Sequence, residues 1–406
     1  IASFDAGRFV NRIVPRLDDA NPNVRVEAAA TLGAVGGPDA AAALSRVAAG
    51  RGFFAVRRAA LLGLARADTA AYRGAAAAWA RSPAWFERMV VAEADGSLGA
   101  RPAHLDDRDS RVMAAAFNAW ADAQAGADSL LRAEAGRLVG HRDPAVRSVA
   151  IGVIGRAPGV ADLPVLVAAY RAAERDSFPD AAIAALDAMQ ALARVSDSAR
   201  RVVEREFLAR VPAPSDYNLK SWAARRWPAA AERWGPAHPV ATGRTLQDYR
   251  EIVRRYLVAP DSLRRPRVVI ETEQRGTIEV ELLGPDAPLT VANFLSLVDR
   301  RFFDGNRWHR VVPNFVVQDG DPRGDGWGGP GYAIRDEINR VRFSSPVLGM
   351  AHSGRDTGSS QWFLNLSPQP HLDGTYTVFG RVEGSTAALV RITQGDVIRT
   401  IRRQRP

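Results

Sequence analysis

At Arg267 the hydrophobic period of this chain changes, and that change constrains the fold more than any other feature. Upstream, alanine, leucine, valine and arginine recur at helical spacing; downstream, apolar and polar residues alternate. A chain of 406 residues is also too long for one ordinary core. The sequence therefore predicts a helical domain over 1–240, a helix and linker over 241–266, and a strand-rich domain over 267–406.

The helical half carries a recurring phrase. Asn21-Pro22-Asn23-Val24-Arg25 and Asp143-Pro144-Ala145-Val146-Arg147 are its clearest copies, with weaker ones around Arg57 and Arg111. Asn21 and Asp143 suit the cap position, where a side-chain oxygen accepts from unpaired helix N–H groups. The proline that follows occupies the first helical position, where no donor is needed. The aligned arginines are 32, 54 and 36 residues apart, so two steps match one helix pair and the long one needs an insertion. A helix pair cannot bury its apolar stripe alone, so pairs must stack. The pattern resembles HEAT-type repeats and implies an α-solenoid; an irregular helical bundle is the alternative. Thr245 reads as the cap of a last helix before the Pro260–Pro266 linker.

In the second half, 268–273 and 276–282 read as antiparallel strands around a turn at Gln274-Arg275-Gly276. Residues 287–298 read as a helix with an early proline. Short strands and glycine-rich turns follow, which suggests a barrel.

Three phrases in this half carry chemistry. The first is Trp308-His309-Arg310-Val311-Val312-Pro313-Asn314-Phe315-Val316-Val317-Gln318-Asp319-Gly320. The second is Leu348-Gly349-Met350-Ala351-His352-Ser353-Gly354 with Gly358-Ser359-Ser360-Gln361-Trp362-Phe363. The third is His371-Leu372-Asp373-Gly374-Thr375-Tyr376-Thr377-Val378-Phe379-Gly380. In this order they resemble the cyclophilin family of peptidyl-prolyl cis/trans isomerases, over Arg267 to about Glu383. The resemblance implies a closed eight-stranded antiparallel β-barrel with two helices, and rotation about the peptide bond before proline.

That rotation makes and breaks no covalent bond, so it needs no nucleophile, metal or cofactor. By position in the motif, Arg310 would donate to the prolyl nitrogen, with Phe315 and Gln318 completing the catalytic set. Phe315, Val316, Phe363 and Leu372 would hold the proline ring. Gln318 and Gln361 would hold Arg310 and the substrate backbone, and Ala351 and His352 would pair with the substrate through main-chain groups. His371 and Tyr376 would also bind the substrate, Tyr376 closing the pocket and offering a hydroxyl. Val316, His352, His371 and Tyr376 depart from common family residues, and the missing indole at 371 implies weak cyclosporin binding. His309 reads as a packing residue. Asp319, Asp321 and Asp325 read as a turn of solvated charges, because the remaining ligands of a calcium loop are absent.

Composition bounds the rest. A net charge of +9 is carried almost entirely by arginine, with Lys220 the single lysine, and no long basic tract is present. Nucleic-acid binding is therefore not expected. There is no cysteine, which excludes disulfides and thiolate chemistry, and the 6 histidines are not spaced as zinc ligands. No apolar run is long enough to cross a membrane as a helix. The expected partners are proline-containing polypeptide clients, with a further protein partner on the helical array. The start at Ile1 leads to an expected removed leader or a lipid anchor upstream of residue 1, and so to a bacterial cell envelope or periplasm; the cytoplasm is the alternative. Against the active isomerase stands a second function, a non-catalytic scaffold or assembly subunit that uses the barrel for docking.

Overall fold

A computed structural model describes residues 9–404, apart from 125–128 and 177. The outermost residues of the first and last expected domains therefore lie outside the described residues. The chain divides into two compact units, one running to His238 and one from Pro239, with Ala20–Asn23 grouped with the second.

The first unit is helical, and its helices start where the sequence places caps. Asp143 accepts from the Ala145 N–H at 2.9 Å and Pro144 opens the helix Pro144–Gly155. Asn21 accepts from the Asn23 N–H at 2.9 Å ahead of the helix Pro22–Val35. Asp109 caps Ser110–Ala123 in the same way. Each such cap is worth about 1 kcal/mol.

Glycines mark close helix crossings. A Cβ on Gly33 would lie 2.3 Å from the Gly63 Cα, where Pro22–Val35 meets Phe54–Ala67. A Cβ on Gly96 would lie 2.7 Å from the Trp120 nitrogen, where Trp85–Ser97 meets Ser110–Ala123. Gly155 faces Ala188 similarly, between Pro144–Gly155 and Asp180–Val195. Small residues at these points let neighbouring backbones approach.

Buried and half-buried arginines tie helix starts to the loops before them. Arg147 Nη1 donates to the carbonyls of His141 (2.7 Å) and Arg142 (2.9 Å), and its guanidinium also binds Asp176. Arg25 donates to the Asp19 carbonyl, at the same offset. Arg88, which the sequence pattern did not single out, does likewise with Ser82 (2.8 Å) and Pro83 (3.1 Å) and grips Asp107 with two bonds. Arg57 and Arg111 differ: Arg57 pairs with Glu87 and lies over Trp79, and Arg111 lies 3.7 Å over the Trp85 ring.

Thr245 begins the second unit's helical lead-in, capping Leu246–Val253 in a reciprocal arrangement with Asp248. The strands follow: β1 Arg267–Thr272, β2 Gly276–Leu282, β3 Arg310–Val312, β4 Val316–Asp319, β5 Val347–Met350, β6 Trp362–Asn365, β7 Val378–Glu383 and β8 Ile398–Arg403. They form one eight-stranded antiparallel sheet in the order β3-β4-β6-β5-β7-β2-β1-β8. Alternation is realised in β2, where Ile278, Val280 and Leu282 are buried. The helix Pro288–Asp299 buries Phe294 against Phe303, Trp362 and Phe379.

The expected closed barrel is corrected: the ladder is open, with β3 and β8 as its edges. Between them runs one isolated bridge, Arg307 to Val397, with bonds such as Ile398 N–H to the Asn306 carbonyl at 2.8 Å. The reason is length. β3 has three residues, and the chain before it meets the start of β8 only through the short run of bonds between 305–308 and 395–398, which does not extend into a ladder along β8.

Candidate active site

The Arg310 phrase folds into a tight hairpin. Asn314 adopts a left-handed conformation (φ 58°), which asparagine tolerates, and the Phe315 N–H closes onto the Val312 carbonyl at 3.0 Å. The resulting register sets Arg310 opposite Gln318, and β4–β6 pairing sets Gln318 opposite Phe363. Directly opposed residues project to the same face. Arg310, Gln318 and Phe363 thus form a row across three strands.

A directed chain of hydrogen bonds orients that row. Gln361 Nε2 donates to the carbonyls of Gly326 (2.8 Å) and Gly328 (2.9 Å), which uses both of its N–H groups. Its Oε1 must then face Gln318 and accept from Gln318 Nε2 at 3.1 Å. That turns Gln318 Oε1 toward Arg310, which donates from Nη1 at 3.2 Å. Arg310 is exposed, and its other N–H groups have no protein partner among the described residues. The guanidinium carbon lies 5.7 Å from the centre of the Phe315 ring.

Beside the row lies an apolar basin. Val316, Phe363 and Leu372 belong to one buried cluster with Phe343, Val347, Val378 and Leu283, and Phe315, Ala351 and Tyr376 pack against it. Phe343 stacks on Phe363 at 5.5 Å, and Tyr376 meets the same ring edge-on at 5.5 Å. Gly349 lies opposite Phe363; a Cβ there would stand 2.5 Å from the ring. Two histidines lie flat on basin rings, His371 on Phe315 (5.7 Å, 20°) and His352 on Tyr376 (4.3 Å, 19°).

The eleven residues expected at the site are brought together. One main-chain expectation changes: the Ala351 N–H already donates to the Gln361 carbonyl at 2.9 Å. The main chain of His352 has no partner among the described residues. The expected turn of solvated charges is also corrected. Asp319 and Asp321 are both fully buried. Asp321 accepts from the N–H groups of Arg323 (2.7 Å), Asp325 (2.9 Å) and Gly326 (2.5 Å), while Asp325 pairs with Arg323. A Cβ on Gly328 would stand 1.8 Å from Asp321 Oδ1, so the loop folds this tightly only with glycine there. Asp321 thereby shapes the loop whose carbonyls hold Gln361.

Phe343, Gly349 and the Gly326 and Gly328 carbonyls were missed by sequence reasoning. Phe343 lies in a stretch without periodicity and left no signal. The glycine-rich run from Gly324 to Gly331 was a signal for a loop that approaches other groups closely.

Residues 267–406 match the family model described as cyclophilin type peptidyl-prolyl cis-trans isomerase. A peptidyl-prolyl cis-trans isomerase of Synechococcus elongatus is 46% identical over 138 residues, which are 34% of this chain and 94% of the relative. Peptidyl-prolyl cis-trans isomerase B of Bacillus subtilis is 46% identical over 132 residues, 32% of this chain and 92% of the relative. A crystal structure of a Cryptosporidium parvum cyclophilin type isomerase aligns with 27% identity and a TM-score of 0.34, covering 35% of this chain and 99% of that one.

Proposed function

The chain belongs to the cyclophilin-type peptidyl-prolyl cis-trans isomerase family, and from that premise we propose how its residues turn an X-Pro bond. The protein is a peptidyl-prolyl isomerase. Its substrate bond has partial double-bond character and a barrier of about 18–20 kcal/mol. Cis and trans differ by only about 0.5–1 kcal/mol before proline, so the obstacle is kinetic. Twisting the amide breaks its conjugation and returns a lone pair to the prolyl nitrogen. A donor that meets this lone pair binds the twisted state better than either planar one, and so lowers the barrier.

Arg310 is that donor. Its charge is permanent and its fork is planar, so it keeps N–H groups to offer while Nη1 stays on Gln318. Phe315, Val316, Phe363, Leu372 and Tyr376 seat the proline ring. The free main chain of His352 pairs with the substrate, Gln361 holds Gln318 in its donor-aligning orientation, and His371 borders the seat. The observation that carries the reading is the Arg310–Gln318 bond, with the guanidinium over the Phe315 ring. A coupled assay on a short X-Pro peptide tests it. Arg310→Ala is expected to lose most of the rate with its fold intact, whereas a parent chain no faster than background would leave only a docking role.

The helical unit is read as a HEAT-like stack that holds protein clients for the isomerase. The equivalent bonding of Arg25, Arg88 and Arg147 and the glycine crossings support this reading, since both recur along the chain. Cross-linking of the full-length Arg310→Ala chain in cells, followed by mapping of the linked residues, tests it: links should fall on the helices. An envelope location is read from the client-handling role and the absence of cysteine, and cell fractionation tests it.

A further inference from the structure

Behind Arg310 and Gln318 lies a pair that the reaction above does not use. His309 precedes Arg310, and Asp319 follows Gln318, so the two meet one step further along the same strand pairing. Their side chains are 6% and 0% exposed, with His309 Nδ1 3.8 Å from Asp319 Oδ1. At that distance the contact is electrostatic rather than a direct hydrogen bond. Asp319 Oδ1 accepts from the Gly320 N–H at 2.7 Å, while Asp319 Oδ2 and His309 Nδ1 lack hydrogen-bond partners among the described residues.

The surroundings leave His309 as the side chain that acts on Asp319. Across β6 stands Trp362, which carries no charge. From the following loop, Asp321 is held by backbone N–H groups, and Arg323 and Asp325 hold each other. From the 394–396 turn, Gln394 donates to the His309 carbonyl at 3.0 Å, and Asp396 is held by Arg275. The His309 ring also faces the loop that orients Gln361, at 3.9 Å from where a Gly326 Cβ would sit.

We propose that His309 and Asp319 form a buried positioning pair that holds the edge strand β3 onto β4 and thereby sets the reach of Arg310. The bonds that hold this edge outside the β3–β4 ladder fall on Trp308 and His309, not on β3 itself. It is a three-residue edge strand paired along one side, so few backbone bonds oppose its sliding or fraying. Separating the two leaves two buried polar side chains farther from the nearest group that could satisfy them. A shift of β3 that moved Arg310 would separate them in this way. Burial pushes the Asp319 carboxyl above the usual carboxylate range, so acidification protonates it and removes its charge from the pair.

The proposal depends on Arg310 being the donor to the prolyl nitrogen, and two readouts on the full chain separate the two claims. One is kcat/KM on a short X-Pro peptide between about pH 5 and pH 8, where arginine and glutamine side chains do not titrate. The other is the NMR signal of the Arg310 Nε–H over the same range. In the parent, both are expected to change with acidification. Asp319→Asn is expected to lower kcat/KM roughly tenfold, as small misplacements of a reacting group do, and to flatten the pH profile of the Arg310 signal. A variant with the parent's rate and the parent's pH profiles overturns the pair's role. A parent without isomerase activity defeats the donor reading instead, and the Arg310 signal then still decides the pair. If Asp319→Asn does not fold, His309→Gln takes its place with the same expectations, and a pH-dependent Arg310 signal like the parent's overturns the proposal.

Discussion

Arg310 and Gln318 stand directly opposite each other on β3 and β4, and the guanidinium donates to the amide oxygen at 3.2 Å. The bond runs across the strands, so the backbone register itself aims the arginine. Gln318 in turn has no freedom to flip, because Gln361 presents an acceptor to it.

Removing the donor should isolate its contribution. Arg310→Ala is expected to lower kcat/KM by about 10²–10³, the loss typical of a single donor to a developing charge. Because the side chain is exposed, circular dichroism and the melting temperature should stay those of the parent. Arg310→Lys should recover little, since a lysine cannot hold Gln318 and meet the prolyl nitrogen with one planar head.

Reversing the amide chain should be nearly as damaging. Gln361→Glu replaces the two N–H groups that face the Gly326 and Gly328 carbonyls with an oxygen that repels them. A stranded polar group of this kind costs about 1–3 kcal/mol. The expected outcome is a fall in kcat together with a shift of the Gln318 side-chain amide signals in an NMR spectrum. Unmoved Gln318 signals would count against the chain of bonds.

The floor of the basin can be filled from below. Gly349→Ala places a methyl group 2.5 Å from the Phe363 ring, so that ring must move toward the proline seat. Overpacking of this kind costs about 1–3 kcal/mol. KM for the X-Pro peptide should rise, and a Gly349→Ala chain with unchanged KM and unchanged melting would show that Phe363 does not wall the seat.

In the helical unit, acid stability should depend on Arg88. Burial alone would raise the Asp107 carboxyl, but bonds from Arg88 and from the Asp109 N–H overcome this and hold it below the usual range. A depressed carboxylate contributes stability above its unfolded value and loses it as pH falls through the folded one, here below about pH 4. Arg88→Leu leaves Asp107 buried without its cation, at a cost of about 3–5 kcal/mol. Its folded carboxyl is then raised, and the sign reverses: the variant should gain stability as pH falls. Urea unfolding followed by circular dichroism at several pH values checks both slopes.

Much of this protein was readable before folding. The period change at Arg267, the caps at Asn21, Asp143 and Thr245, and the β1–β2 turn depend on residues adjacent in sequence. The motif residues were readable for a related reason, since two short strands and a tight turn carry Arg310, Phe315 and Gln318 within nine positions. What lay beyond reach involved partners far apart along the chain. Arg88 and Asp107 find each other only once two helices pack, and Phe343 enters the basin from a stretch with no period.

The carboxylates mark the division most clearly. The sequence by itself determined that a turn follows the strand that ends near Asp319 and that Asp321 lies in it, because a polar, glycine-rich run can do little else. Only the tertiary structure decided that both are buried, one folded into backbone N–H groups and one set against His309. Burial depends on what closes over a residue, and here that cover comes from β6, the glycine loop and the 394–396 turn. The open ladder is of the same kind: strand pattern specifies which segments extend, but whether the last edge meets the first depends on the path of every strand between them.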